Sequence, residues 1–192
     1  AGSFDGKLYA LSSDDGRELW TFQAPAAIAS APVVWEDSVF FGAFDRHLYC
    51  VADGKEKWRF EGENWFWARP LVNNNIVYAS CLDGKIYALK ADTGEKLWQL
   101  EVNSPIVSSP VLMDNSLVVI SDTGKLYIVN PDTPDTNNTL DIIKPIPTKS
   151  SVMAPLYEKK GIVYIHAKNR HLYAVKIPEK EILWDFDLIE LK

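Results

Sequence analysis

The sequence is poor in residues that do chemistry. It holds two cysteines, Cys50 and Cys81, and three histidines in 192 residues. Two cysteines make no disulfide framework and fix no compartment. Cys50 follows a tyrosine inside an apolar stretch and Cys81 ends another, both places for a small buried hydrophobe. No run of eighteen apolar residues occurs, so no segment reads as a membrane-spanning helix. No stretch reads as a signal peptide, and amphipathic-helix periodicity is missing over any useful length. Basic residues number 20 against 26 acidic, and the net charge of −6 argues against a nucleic-acid partner. The deficit is uneven: residues 1–143 carry −9 and residues 144–192 carry +3. Also missing are a G-x-S-x-G nucleophile elbow, an H-E-x-x-H zinc motif and any zinc-spaced Cys/His cluster. The Asp-Gly turns at 5–6, 53–54 and 83–84 lack the dense oxygen ligands of a calcium loop. No catalytic residues and no metal site are expected.

What the sequence does have is a repeat. Tyr9, Tyr49, Tyr87, Tyr127 and Tyr173 each follow Leu or Ile, at spacings of 40, 38, 40 and 46 residues. Trp20, Trp58, Trp98 and Trp184 follow their tyrosines by nine or eleven residues. Pro32, Pro70, Pro110 and Pro155 form a third register, and apolar runs beginning at Val39, Ile76, Leu117 and Ile162 a fourth. In the third unit the apolar segments are 68–72, 76–80, 86–90 and 96–100, separated by turn residues such as Asp83-Gly84 and Asp92-Thr93-Gly94. We name them A to D. Four short strands in a unit of about 40 residues are the arithmetic of a β-propeller blade.

The expected fold is therefore all-β: a β-propeller of four-stranded antiparallel blades forming one domain over residues 1–192. A partial blade occupies 1–26, with strand C at 8–11 and strand D at 19–22. Blades follow at about 27–61, 65–101, 105–143 and 150–188, about four and a half in all. The Pro/Thr/Asn/Asp-rich stretch after Tyr127 reads as a long exposed loop, with a D strand at 140–143. The first unit begins in mid-blade and residues 189–192 cannot supply its missing strands. The expectation is a piece of a larger propeller, or a half that pairs with another chain and self-associates through open sheet edges.

The residues Ala88, Thr93, Gly94 and Trp98 are spaced A-x-x-x-x-T-G-x-x-x-W. This resembles the tryptophan-docking motif of the PQQ-like propeller repeats first described in quinoprotein dehydrogenases. Lys90 and Glu95 stand where the family usually has Asp and Lys. Ala10, Gly16 and Trp20 echo the motif with Asp15 for Thr, and Ala174 and Trp184 echo it without the glycine. The physical sense is plain: the glycine can adopt positive φ, and the indole can pack between blades. Relatives that are quinoprotein enzymes carry adjacent cysteines, a calcium site of Glu, Asn and Asp, and a stacking Trp. This chain has no adjacent cysteines, so neither PQQ nor calcium is expected. The resemblance implies the BamB-like non-enzymatic branch: a protein- or peptide-binding scaffold, in an envelope-associated assembly and outside the cytoplasm. The alternatives are a fragment of a quinoprotein-like dehydrogenase, or a sensor or accessory propeller of a multidomain protein. Fold alone does not choose among them.

Two clusters are candidate binding sites, both on the rim where the D-to-A and B-to-C connections emerge. Aligned on the prolines, Trp65 replaces Ala27, Pro105 and Ser150; Trp67 replaces Ala29, Val107 and Val152; Arg69 replaces Ala31, Ser109 and Ala154. Two indoles and a guanidinium where other units keep small or aliphatic groups match the composition of interface hot spots. Phe66 is expected in the core. The competing reading of Trp67 is filler between blades. If strand A lines a central channel, Arg69 faces it. The second cluster is Arg46-His47 and Arg170-His171, in place of Gly-Lys before Leu-Tyr, three blades apart. Paired Arg-His fits an anionic group; the bland reading is a turn with solvated cations.

Overall fold

The computed structural model describes residues 1–137, 139–141, 155–167, 170–177 and 179–188, and every named element in it is a β-strand. A two-stranded sheet comes first, β1 (Lys7–Leu11) and β2 (Glu18–Gln23), with Gly2 bridged to Leu8. Next is a sheet of β3 (Val33–Trp35), β4 (Ser38–Gly42), β5 (His47–Ala52) and β6 (Lys55–Glu61). The following sheet holds β7 (Leu71–Asn73), β8 (Ile76–Ser80), β9 (Lys85–Lys90) and β10 (Lys96–Glu101). Then come β11 (Val111–Met113), β12 (Ser116–Ile120), β13 (Lys125–Val129) and β14 (Thr139–Asp141). The last sheet is β15 (Tyr157–Lys159), β16 (Ile162–His166), β17 (His171–Lys176) and β18 (Glu181–Asp187). Within each sheet, neighbours in sequence pair antiparallel.

Two boundaries differ from the sequence expectation. The proline-bearing strand of the third unit is β7, Leu71–Asn73, and not 68–72. Pro70 has no N–H to give a ladder, so pairing starts after it. In the fourth unit the D strand begins at Thr139, one residue earlier than expected, and is described as far as Asp141. Ser150, Val152, Ala154 and Asn169, with residues 142–149 and 189–192, lie outside the described residues.

Packing follows from the two-residue period of a strand. On β8 and β9, Val77, Ala79, Tyr87 and Leu89 point to the preceding sheet and join Phe40, Leu48, Cys50 and Trp58. Their neighbours Tyr78, Ile86 and Ala88 point the other way and join Leu117, Val119, Tyr127 and Val129. The same face-to-face contact joins the first two sheets and the last two. Because both faces of an inner strand are covered, these strands read as continuous apolar runs. Each buried Leu, Val or Phe contributes about 1.5–3 kcal/mol to holding neighbouring sheets together.

The tryptophans fasten one sheet to the next. The β5–β6 ladder carries a bulge between Cys50 and Val51, beside the Cys50–Trp58 pair. Trp58 reaches across the gap, its Nε1–H donating to the Ala91 carbonyl at 2.9 Å. A Cβ on Gly94 would stand 2.7 Å from the Trp58 ring, and Gly94 has φ +72°. Glycine is thus needed here twice over, for its left-handed backbone and for the close approach. Trp20 stands likewise against Gly54, 3.4 Å from the position of a Cβ there.

Candidate functional site

The two kinds of connection meet on one rim. The N–H of Phe44, just after β4, donates to the Ala27 carbonyl at 3.0 Å; Leu82 donates to Trp65 at 3.0 Å and Asp122 to Pro105 at 2.8 Å. In the third unit this junction is reinforced. The Asp83 carboxylate accepts the Lys85 N–H at 2.9 Å, the Tyr87 hydroxyl at 2.6 Å and the Glu63 N–H at 3.2 Å. Burial, then the Asp83 contact, pushes the Tyr87 phenol well above its ordinary pKa. The Cys81 thiol donates to the Asn64 carbonyl at 3.2 Å, and the Asn64 side-chain oxygen accepts the Trp65 N–H at 2.8 Å. The Lys85 ammonium pairs with the Glu63 carboxylate, which raises the lysine's pKa. Residues 63–65 are therefore held by backbone, thiol, carboxylate and ammonium partners together.

That held loop presents the aromatic groups. Residues 65–70 alternate strictly: Trp65, Trp67 and Arg69 are exposed, whereas Phe66, Ala68 and Pro70 are buried. Trp65 is 41% and Trp67 42% exposed, large values for indoles, while Phe66 is 1% exposed and sits in the core. Gly42 makes room for Phe66, since a Cβ there would meet the Phe66 carbonyl at 2.1 Å. Trp67 is thus not filler between blades: the pleat that buries Phe66 turns its neighbour outward. Phe44 stacks on both indoles, 4.5 Å from Trp65 and 5.4 Å from Trp67, each at 17°. Phe4, 71% exposed, meets Phe44 edge-on at 6.1 Å. Phe44 and Phe4 were not singled out in the sequence. The available signal was register: both stand five residues before a repeat tyrosine, where other units have Leu82 and Asp122. Arg69 is exposed ahead of β7, its N–H donating to Oγ of Ser109, its counterpart in the next unit, at 3.1 Å.

The Arg-His pairs are not brought together. Each sits on its own turn and faces carboxylates of its own blade. Arg46 lies 3.2 Å from Glu61; the His47 N–H donates to Asp45 at 3.2 Å. His171 lies 3.3 Å from Asp185 and 3.9 Å from Asp187, and its ring stacks on Tyr173. Arg46 and Arg170 have φ of 70° and 68°, where Gly6, Gly84 and Gly124 stand in the other units. The carbonyls of Arg46 and Arg170 accept the N–H groups of Gly62 and Leu188. These residues serve the turn directly.

Both cysteines are free, buried and in one interblade core. Burial pushes the Cys50 thiol up to about 11 and the Cys81 thiol up to about 12. Neither resembles the adjacent pair of a quinone site. Among the described residues, no group of three or more His, Cys, Asp or Glu side chains could hold a metal ion. A polar hollow of about 480 Å³, lined by Leu112, Met113, Asp114, Glu158, Lys160, Gly161 and Lys176, opens at the opposite rim. It is far from the aromatic cluster along the strands.

Four-stranded antiparallel sheets, packed face to face and fastened by tryptophans on turn glycines, define a β-propeller of the PQQ-like repeat class. A family model described as outer membrane protein assembly factor BamB matches residues 4–190, and the chain belongs to that family. Among solved structures, the chain is similar to BamB from Moraxella catarrhalis, with a TM-score of 0.82 and 20% identity, over 96% of this chain and 59% of that one. It is also similar to the computationally designed Ika8 protein, with a TM-score of 0.71 and 20% identity, over 85% of this chain and 50% of that one. By sequence, 51 residues are 37% identical to part of the beta-alanine-activating enzyme of Mus musculus, covering 27% of this chain and 5% of that protein. The chain thus spans half to three-fifths of the structures it matches, and its sequence match takes in a small part of a long enzyme.

Proposed function

We propose that this chain is a non-enzymatic protein-binding propeller, whose partner is a peptide segment or protein docked on the aromatic rim. The carrying observation is the stack of Trp65 and Trp67 on Phe44, both indoles about two-fifths exposed on a loop held by its neighbours. Large rigid aromatics are the residues that dominate interface energy. A loop ordered before binding loses little entropy on binding. Arg69 at the same edge supplies a donor for a backbone carbonyl or carboxylate of the partner. Arg46, His47, Arg170 and His171 contribute to the rim's charge and turn geometry.

The family description supports an envelope-associated assembly outside the cytoplasm as the setting. The match inside a long enzyme supports a second setting, an accessory propeller of a multidomain protein; the complete reading frame decides between them. In either setting the rim has the same role and the chain carries no quinone. Adding PQQ and calcium is expected to produce no dye reduction; calcium-dependent turnover would favour the dehydrogenase alternative.

The test is a selection of random displayed peptides on the 192-residue chain, followed by titration of the winners. Losing one buried Trp anchor costs about 2 kcal/mol or more, roughly thirtyfold in Kd. W65A and W67A are expected to weaken binding by that factor with unchanged thermal stability. Peptides that bind both variants as well as the parent would remove the site.

A further inference from the structure

Three connections surround the exposed indoles, 43–47, 61–69 and 81–85, and every carboxylate in them is engaged. Glu63 holds the Lys85 ammonium and Glu61 the Arg46 guanidinium. Asp83 accepts the Tyr87 hydroxyl and two backbone N–H groups, and Asp45 accepts the Tyr49 hydroxyl and the His47 N–H. Arg69 is the exception among the charged groups. Its backbone N–H donates to Ser109, but among the described residues its exposed guanidinium has no hydrogen bond and no ion pair. Arg17, Arg46 and Arg59, by contrast, each lie within 4 Å of a carboxylate. The counterparts of Arg69 in the neighbouring units, Ala31 and Ser109, carry no charge, so the free cation belongs to the unit that also carries the two indoles. The cluster sits at the junction of the β3–β6 and β7–β10 sheets, with a further sheet packed against each.

We infer that the segment bound on the aromatic rim carries a carboxylate close to its apolar anchor, and that Arg69 receives it. This rests on the rim being the docking surface. Arg69 follows Trp67 by two residues, so their Cα atoms are no more than about 7 Å apart. A segment lying on Trp67 therefore displaces water from Arg69 as well. A guanidinium stripped of water without a partner is costly. Its flat fork of N–H donors matches the two oxygens of a carboxylate, and the pair forms two parallel charge-assisted hydrogen bonds. A backbone carbonyl offers the fork one oxygen and no charge. A lysine or arginine of the partner at this place would meet like charge, which excludes basic segments. The carboxylate is that of an Asp or Glu side chain or of the segment's own C-terminus, since both present the same two oxygens.

The experiment selects random peptides, displayed with a free C-terminus, on the 192-residue chain. Each winner is resynthesised in two further forms, one with its acidic side chains changed to amides and one with an amidated C-terminus. All forms are titrated against the parent, R69Q, R69K, W65A and W67A. Expected: the winners carry a carboxylate near a large apolar residue, and R69Q weakens them about tenfold. The form that has lost the critical carboxylate binds the parent and R69Q alike, which tells a side-chain carboxylate from a terminal one. R69K keeps the charge without the fork and recovers part of the affinity. R69Q keeps the backbone N–H that Ser109 accepts, so its thermal midpoint matches the parent's. Winners that weaken with W67A yet bind R69Q as tightly as the parent, or that are rich in Lys and Arg, would overturn the inference and leave the rim standing. Winners indifferent to W65A and W67A would remove the rim, and the inference with it.

Discussion

Replacing Trp58 by Ala tests the fastening of one blade to the next. Trp58 is 8% exposed, packs 5.7 Å from Phe40 and donates to the Ala91 carbonyl. Truncating a buried Trp costs about 3–5 kcal/mol, and the carbonyl left without its donor adds about 1 kcal/mol or more. W58F separates the two: it keeps an aromatic body, loses the donor, and should cost about 1–3 kcal/mol. W184A removes the same residue type at the same repeat position from an outer sheet face, and should cost about 1 kcal/mol. The assay is urea unfolding followed by far-UV circular dichroism on monomeric samples, with midpoints compared at equal m-values. A repeat array can lose its outer units first. A second, earlier transition in W58A would then be the parting of the β3–β6 sheet from the β7–β10 sheet. If W58A costs no more than W184A, the indole is not what joins the sheets, and the reasoning fails.

The other predictions concern the turns, the thiols and the rim. At φ 70° a non-glycine side chain costs about 1–2 kcal/mol, whereas the exposed Arg46–Glu61 pair returns at most about 1 kcal/mol. Urea midpoints should therefore rank R46G at or above the parent, and Arg46→Val below it by about 1 kcal/mol or more; the reverse order would mean that the arginine is needed where it stands. The folded Cys50 and Cys81 thiols titrate near 11 and 12, above the roughly 8.5 of a free thiol. A group whose proton is held more tightly in the folded state contributes its stability below the unfolded pKa. That contribution is lost as pH rises through the folded value. The urea midpoint should hold from pH 7 to about 8.5 and decline above it, and an iodoacetamide reaction at pH 8 should be fast only in unfolded protein. A flat midpoint to pH 11, or rapid labelling of the folded chain, would contradict the buried positions. Phe44→Ala, which removes the ring on which both indoles stack, should weaken a selected peptide by tenfold or more without lowering stability by over about 2 kcal/mol.

The repeat was legible because tyrosine, tryptophan and turn residues recur in fixed register, and buried inner strands show as unbroken apolar runs. The sequence pattern starts strand A too early, because the apolar Ala68 extends it past Pro70, which cannot join a ladder. In 65–70 the sequence supplied candidates without their orientation. Only the pleat, fixed by Phe66 entering the core beside Gly42, shows which side faces out. Phe44 is not marked in the sequence, because a lone phenylalanine in a turn carries no signal until the turn is laid against the loop holding Trp65. The Arg-His pairs looked like one constellation in the alignment, but a shared rim does not shorten the separation between blades. The direction in which Trp20 and Trp58 dock, from their own D strands onto the following blade's turn, is likewise a fact of packing.

The central claim is that the aromatic rim is the binding surface. Hydrogen–deuterium exchange on the chain with and without a selected peptide tests it most directly. Protection is predicted in residues 42–47 and 62–69, where Phe44, Trp65, Trp67 and Arg69 lie. Protection confined to 112–114 and 158–161, at the hollow on the opposite rim, with 62–69 unchanged, would contradict it.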